Sequence, residues 1–197
     1  SQKPDRAARG TCRALILSPT RELASQISDS FKTYGRNLKV SRAVVFGGVS
    51  IGKQVEILRG GVDVLVATPG RLVDLIERRA VTLNQVEILV LDEADRMLDM
   101  GFIRDIKKIL ALLPKHRQNL LFSATFSDEI KALADGLLNK PAMIEVARRN
   151  ATADNVQQEL YRVHESEKTG ALLELLRSRE LKQVLVFVNT KIGCRRL

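Results

Sequence analysis

Short, β-rich apolar runs alternate along this chain with segments of helical period. Residues 14–18 (ALILS) lead into residues 20–34, where Leu23, Ile27 and Phe31 recur at helical spacing. Residues 43–46 (AVVF) precede a glycine-rich turn and a helix over 54–59. Residues 62–67 (VDVLVA) run into Pro69-Gly70 and a helix over 72–78. Residues 88–91 (ILVL) end in acid and precede a helix carrying Ile103, Ile106, Ile109 and Leu110. Residues 120–122 precede a helix over 128–138, and 143–146 close the series as a last strand. Continuous apolar strands are buried on both faces, so the pattern predicts an α/β domain with a doubly wound parallel sheet. Chemistry in such sheets collects at the C-terminal ends of the strands. Polar motifs follow nearly every apolar run here.

The rhythm breaks after residue 146. Residues 147–155 (ARRNATADN) are polar and aperiodic and read as a linker. Residues 156–197 then predict a strand over 158–163, a helix over 168–177, a strand over 184–188 and the start of a helix. That stretch is too short to bury a core of its own and reads as the opening of a second α/β domain.

Composition adds a partner and a compartment. The 197 residues carry 32 Lys+Arg against 23 Asp+Glu, a net +9, which favours phosphate-rich partners. Aromatics are scarce at 4% with no Trp, so contact with a sugar-phosphate backbone is expected in preference to base stacking. No apolar run is long enough to span a bilayer, and the first ten residues have no signal-peptide character. Cys12 and Cys194 have neither disulfide-framework nor zinc spacing, which points to a reducing cytoplasm.

The strongest local signal is ILVLDEAD. An apolar strand ending in Asp-Glu places one carboxylate near Mg²⁺ and a second beside an attacking water, as in nucleoside triphosphatases. Asp92 is the expected metal holder, acting through the water shell that magnesium keeps. Glu93 is the expected base that orients and deprotonates the water. An acid-rich helix N-terminus would look similar. Such a pair needs a phosphate cradle of the form G-x-x-x-x-G-K-[ST]. Residues 47–54 (GGVSIGKQ) have both glycines and Lys53 at that spacing, but Gln54 stands where a hydroxyl is required, and a plain glycine turn is the competing reading.

Residues 19–24 (PTRELA), Gly47-Gly48, 68–71 (TPGR), 92–95 (DEAD), 123–125 (SAT) and 186–190 (VFVNT) stand in the order found in DEAD-box RNA helicases, which the chain resembles over essentially its whole length. The strings VLDEADRMLDMGF and RQNLLFSATFS look most like the bacterial RhlE type. The resemblance implies a RecA-like fold, Mg²⁺-ATP and RNA as ligands, and local unwinding of short RNA duplexes. It implies RNA-backbone contacts at Thr20, Arg21, Gly47, Gly48, Thr68, Gly70 and Arg71, and at Asn189 and Thr190 in the second domain. It implies that Ser123 and Thr125 contact Asp95 and couple nucleotide state to domain docking. His116 and His164 fit no metal or catalytic spacing and read as surface residues.

A full family member also carries a glutamine motif and a phosphate loop before PTRELA, and an arginine finger late in its second domain. None of these motifs occurs in the 197 residues. The expectation is an isolated chain that neither hydrolyses ATP usefully nor unwinds duplexes. The alternative function is a non-catalytic RNA-binding fragment.

Overall fold

The computed structural model describes residues 7–146, 157–179 and 181–196. The chain divides into two compact units, Ser1–Val146 and Ala147–Leu197. The first unit is a five-stranded, all-parallel sheet: β1 (Cys12–Leu17), β2 (Arg42–Val45), β3 (Val62–Ala67), β4 (Ile88–Leu91) and β5 (Gln118–Leu121), in the order β2-β3-β1-β4-β5. The helices are α1 (Arg21–Tyr34), α2 (Ile51–Arg59), α3 (Pro69–Glu77), α4 (Ala94–Asp99), α5 (Ile103–Ala111) and α6 (Asp128–Leu137).

The connections fix which face each helix covers. The step from β1 to β2 runs one way across the sheet, and every later step runs the other way. Right-handed crossovers therefore put α1 on one face and the later helices on the opposite face. Side-chain alternation agrees. Leu15 and Leu17 point into the large core with Leu58, Leu72, Leu75, Met97, Ile106 and Ile109, whereas Ile16 packs with Ala24, Ile27 and Val66 under α1.

The two faces are unequally covered. Ile88, Leu120 and Phe122 lie on the α1 side of the β4–β5 half and are exposed, as are Met143, Ile144 and Val146 beyond α6. Residues 143–146 form no strand, contrary to the sequence pattern. An apolar run becomes a strand only where a neighbour accepts its ladder hydrogen bonds. Val146 remains 97% exposed.

Helix starts follow local chemistry. Thr20 Oγ1 accepts from the Leu23 amide (3.2 Å), and Ser127 Oγ accepts from the Ile130 amide (3.3 Å). Pro69 begins α3 where its missing N–H costs nothing. At the opposite end of the sheet Asp63, buried on β3, accepts from the Ser41 amide (2.8 Å) and hydroxyl (2.7 Å). The Ser41 hydroxyl accepts in turn from the Asp63 amide, and Arg13 stands 3.8 Å away. This knot sets the entry of β2.

The second unit contains a 3₁₀ turn (Glu165–Glu167), α7 (Lys168–Ser178) and α8 (Lys191–Arg196). The strands expected over 158–163 and 184–188 are absent among the described residues, and α7 buries no residue completely. Leu160, Leu185 and Phe187 remain largely exposed. The physical reason is the lack of a paired neighbour together with too little chain to enclose a core. The expected linker, 147–155, lies outside the described residues.

Candidate functional site

Sheet order divides the motif residues into two groups. The turns after β2, β3 and β1 are neighbours at the C-terminal edge of the sheet. They carry Gly47-Gly48, Thr68 with Gly70 and Arg71, and Thr20 with Arg21, respectively. Each turn opens a helix whose first-turn amides have no partner within the helix, although Pro69 has no N–H and Thr20 caps Leu23. Arg21 stacks over the Phe46 ring at 5.6 Å, tying the start of α1 to the turn after β2. Thr68 is buried, with its amide donating to the Val45 carbonyl. A side chain at Gly70 would reach Phe102 and Asp105, so α3 begins tight against the start of α5. Arg71 is directed inward, and both terminal nitrogens donate to the Val49 carbonyl at 3.2 Å.

The acidic group follows β4. The Asp92 amide donates to Leu17 O (3.0 Å), continuing the ladder by one residue. Asp92 Oδ1 accepts from the Glu93 amide (3.0 Å). Burial pushes the Asp92 carboxyl above its ordinary range, the neighbouring Glu93 charge adds to this, and the Glu93 amide offsets it only in part. Glu93 sits in the left-handed region at φ 49°, ψ 54°, a conformation that costs a non-glycine residue about 1–3 kcal/mol. Its carboxylate is paired with Arg96 at 3.1 Å. Neither the backbone strain nor the pairing has a signal in the motif itself.

Asp95 joins β4 to β5. Its Oδ2 accepts from the Thr125 amide (3.0 Å) and its Oδ1 from the Arg96 amide (3.0 Å). Burial acts upward on this carboxyl, but bonds from the Thr125 hydroxyl and from these amides outweigh it and hold it below the usual range. The Ala94 amide donates to Phe122 O, so the two strand ends are bridged twice. In the second unit Thr190 caps α8 by accepting from the Gly193 amide (3.0 Å), and Asn189 beside it is exposed. His116 and His164 are exposed.

The tempting cradle at 47–54 fails on topology. It follows β2, at the far edge of the sheet, whereas Asp92 follows β4. Two strands intervene, a separation of about 14 Å between strand axes. Gln54 is buried and bonded to the Phe46 carbonyl. A phosphate held by the amides of that turn would lie about three strand spacings from the strand that carries Asp92.

The excess positive charge is also not gathered at this edge. Arg36, Lys39 and Arg42 precede or open β2. Arg59 ends α2, Arg78 and Arg79 follow α3, and Lys115 and Arg117 precede β5. All lie at the N-terminal ends of the strands, and those that end helices suit the helix dipole.

Comparison with known proteins bears on this arrangement. The DEAD/DEAH box helicase family profile matches residues 4–133. The ATP-dependent RNA helicase RhlB of Xanthomonas axonopodis pv. citri is 48% identical over 182 residues, covering 91% of this chain and 32% of the relative. CshA, a DEAD-box ATP-dependent RNA helicase of Streptococcus pneumoniae, is 41% identical over 94% of this chain and 36% of its own length. The chain thus spans about a third of the curated relatives it matches. Among solved structures, a DEAD box protein from the hyperthermophile Methanococcus jannaschii is similar at TM-score 0.66 and 38% identity, covering 94% of this chain and 50% of that one. The chain belongs to the DEAD/DEAH box helicase family.

Proposed function

We propose that the complete protein is an RNA-stimulated ATPase that locally separates short RNA duplexes. The observation that carries this reading is the division of one sheet edge into a half built of glycine turns and helix N-termini and a half that carries the carboxylates. On the first half, Thr20, Arg21, Gly47, Gly48, Thr68, Gly70 and the Arg71 segment offer helix N-termini and glycine turns to RNA phosphates. Such contacts fix the strand's path without reading its bases. Asn189 and Thr190 would add contacts from the second unit. The family names attached to the relatives, RNA helicases among them, support RNA as ligand.

On the second half, Glu93 orients and deprotonates the water that attacks the terminal phosphate. Its pairing with Arg96 is exposed and weak, so exchange to a bound water costs little. Asp92 is half-buried and its carboxyl is raised, so a cation nearby favours its charged form. Among the described residues no cluster of three or more acidic, His or Cys ligands exists. One half-buried carboxylate, Asp92, suits Mg²⁺, which takes one or two carboxylates and keeps several waters. When bound, Mg²⁺ would neutralise charge on the phosphates. Asp95 holds Thr125, and with Ser123 beside it this junction would relay nucleotide state to domain docking. The RhlE subtype rests on the DEAD and SAT contexts alone. No described helix is long and apolar enough to cross a membrane, and a cytoplasmic setting fits the unpaired cysteines.

For the isolated chain a second reading has its own support. With the glycine-lysine turn about three strand spacings from Asp92, these residues provide no phosphate cradle for the carboxylates. Non-catalytic RNA binding is therefore the activity proposed for the chain alone. The test is ATP hydrolysis with and without RNA, in the complete protein and in this chain, each beside Glu93→Gln. Turnover in the complete protein that RNA raises and Glu93→Gln removes supports the proposal. The same behaviour in the isolated chain would overturn the second reading.

A further inference from the structure

The Gly47-Gly48 turn is secured from within by two side chains on different helices. Gln54, on α2, is only 5% exposed, and its Nε2 donates to the Phe46 carbonyl at 3.1 Å. Its Oε1 is buried with no partner among the described residues. Arg71, on α3, has a side chain 11% exposed and donates twice to the Val49 carbonyl at 3.2 Å. Its approach to Asp74 is longer, 3.8 Å, so the carbonyl is its main partner.

The two tethered carbonyls bracket the glycines. Gly48 takes φ +79°, and a Cβ added at Gly47 or Gly48 would meet nothing within 4 Å. The turn's outer side is open, so nothing packs against the glycines to hold their shape. An amide with one end orphaned is a costly way to fill a buried space that Met or Leu would occupy without penalty. The hydrogen bond to Phe46 gives that amide a purpose.

We propose that Gln54 and Arg71 are positioning residues. They hold the Gly47-Gly48 amides in the shape that receives an RNA phosphate and do not themselves carry that contact. The assignment rests on the RNA-gripping reading of this turn. It moves Arg71 from ligand contact to support.

The test uses the 197-residue chain carrying Gln54→Met, Arg71→Lys, Arg71→Met or Gly48→Val. Three quantities are measured: the thermal midpoint, the ¹⁵N relaxation of the Gly47 and Gly48 amides, and anisotropy of a fluorescein-labelled single-stranded oligoribonucleotide. Gln54→Met keeps the volume, removes the donor and removes the orphan. It should leave the midpoint at or above wild type, mobilise the two glycine amides and weaken RNA binding about three- to tenfold. Arg71→Lys, able to donate once to Val49, should retain most of the affinity that Arg71→Met loses.

Unaltered glycine relaxation in both Gln54→Met and Arg71→Met overturns the positioning role. So does an Arg71→Lys loss equal to that of Arg71→Met with the glycines undisturbed, since Arg71 would then meet RNA directly. A fall in midpoint with the turn unchanged would make Gln54 a fold residue only. If wild type binds no RNA, or Gly48→Val binds as wild type does, the RNA reading itself fails, while relaxation still decides the positioning.

Discussion

Replacing Asp63 with Ala should destabilise the first unit by about 3–4.5 kcal/mol. Its carboxylate accepts the Ser41 amide at 2.8 Å and the Ser41 hydroxyl at 2.7 Å. Hydrogen bonds to a charged group contribute about 1.5–3 kcal/mol each. Ser41 is exposed, so water recovers part of that loss, and the lower half of the summed range applies. For a unit of this size the thermal midpoint should fall roughly 5–15 °C. Acid dependence separates charge from packing. Burial works to raise the Asp63 carboxyl, but the Ser41 bonds and the Arg13 charge outweigh it and leave it below the ordinary range. A depressed carboxyl contributes stability that is complete above the unfolded-state value, near pH 4, and is lost as pH falls through the folded-state value. Urea unfolding followed by circular dichroism at pH 7 and pH 3 is the assay, with Asp63→Asn beside Asp63→Ala. The advantage of wild type over Asp63→Asn should shrink at pH 3. An Asp63→Ala loss below about 0.5 kcal/mol, or a wild-type advantage over Asn that is the same at both pH values, would refute the reasoning.

Three further outcomes are expected. Cys12 is fully buried with its thiol pushed up to about 12 by that burial, whereas Cys194 is exposed, so a thiol reagent should titrate one cysteine in the native chain and two in denaturant. Glu93→Gly should leave stability unchanged or raise it by up to about 1 kcal/mol, because left-handed strain is relieved against glycine's greater unfolded-state entropy. Glu93→Val should cost more than about 1 kcal/mol by the same logic, and thermal melts of the pair decide it. Asp95→Ala should lower stability by about 1–2 kcal/mol and speed amide hydrogen exchange at Thr125, whose N–H then loses its acceptor.

The parts of the fold legible in the sequence are those fixed by local pattern and two-sided burial. Residues 62–67 and 88–91 were read as strands and form β3 and β4 with those bounds, because an unbroken apolar run suits a central parallel strand. The helix expected over 128–138 forms α6 over Asp128–Leu137, and the structure adds its Ser127 cap and acidic first turn. Residues 143–146 and 184–188 are also largely apolar, and 158–163 are mixed, yet none forms a strand, since pairing partners do not appear in a hydropathy pattern. Helix α4, six residues long, passed unseen inside the acidic motif. At the site, the identities of Asp92, Glu93, Asp95 and Thr125 were readable as motif letters. The strain at Glu93, the inward turn of Arg71 and the burial of Gln54 depend on tertiary contacts between elements distant in sequence.

Strand order is what turns those letters into a division of labour. On spacing alone GGVSIGKQ and DEAD could belong to one phosphate site, and the net +9 could belong to the RNA grip. The order β2-β3-β1-β4-β5 separates the first pair by two intervening strands, and the placement of Arg36, Lys39, Arg42, Arg59, Arg78 and Arg79 sends much of the charge to the opposite end. On the half of the edge proposed to meet RNA, the turns after β1, β2 and β3 carry Arg21, Lys53 and Arg71, of which Arg21 lies over Phe46 and Arg71 donates to a carbonyl. A grip at that edge must then draw mainly on oriented backbone amides, whose partial charges are fixed by the fold. Geometry at Gly47-Gly48 accordingly matters more there than the count of cations. Removing the Phe46 or Val49 tether should weaken binding more than neutralising any single arginine at the far end of the sheet.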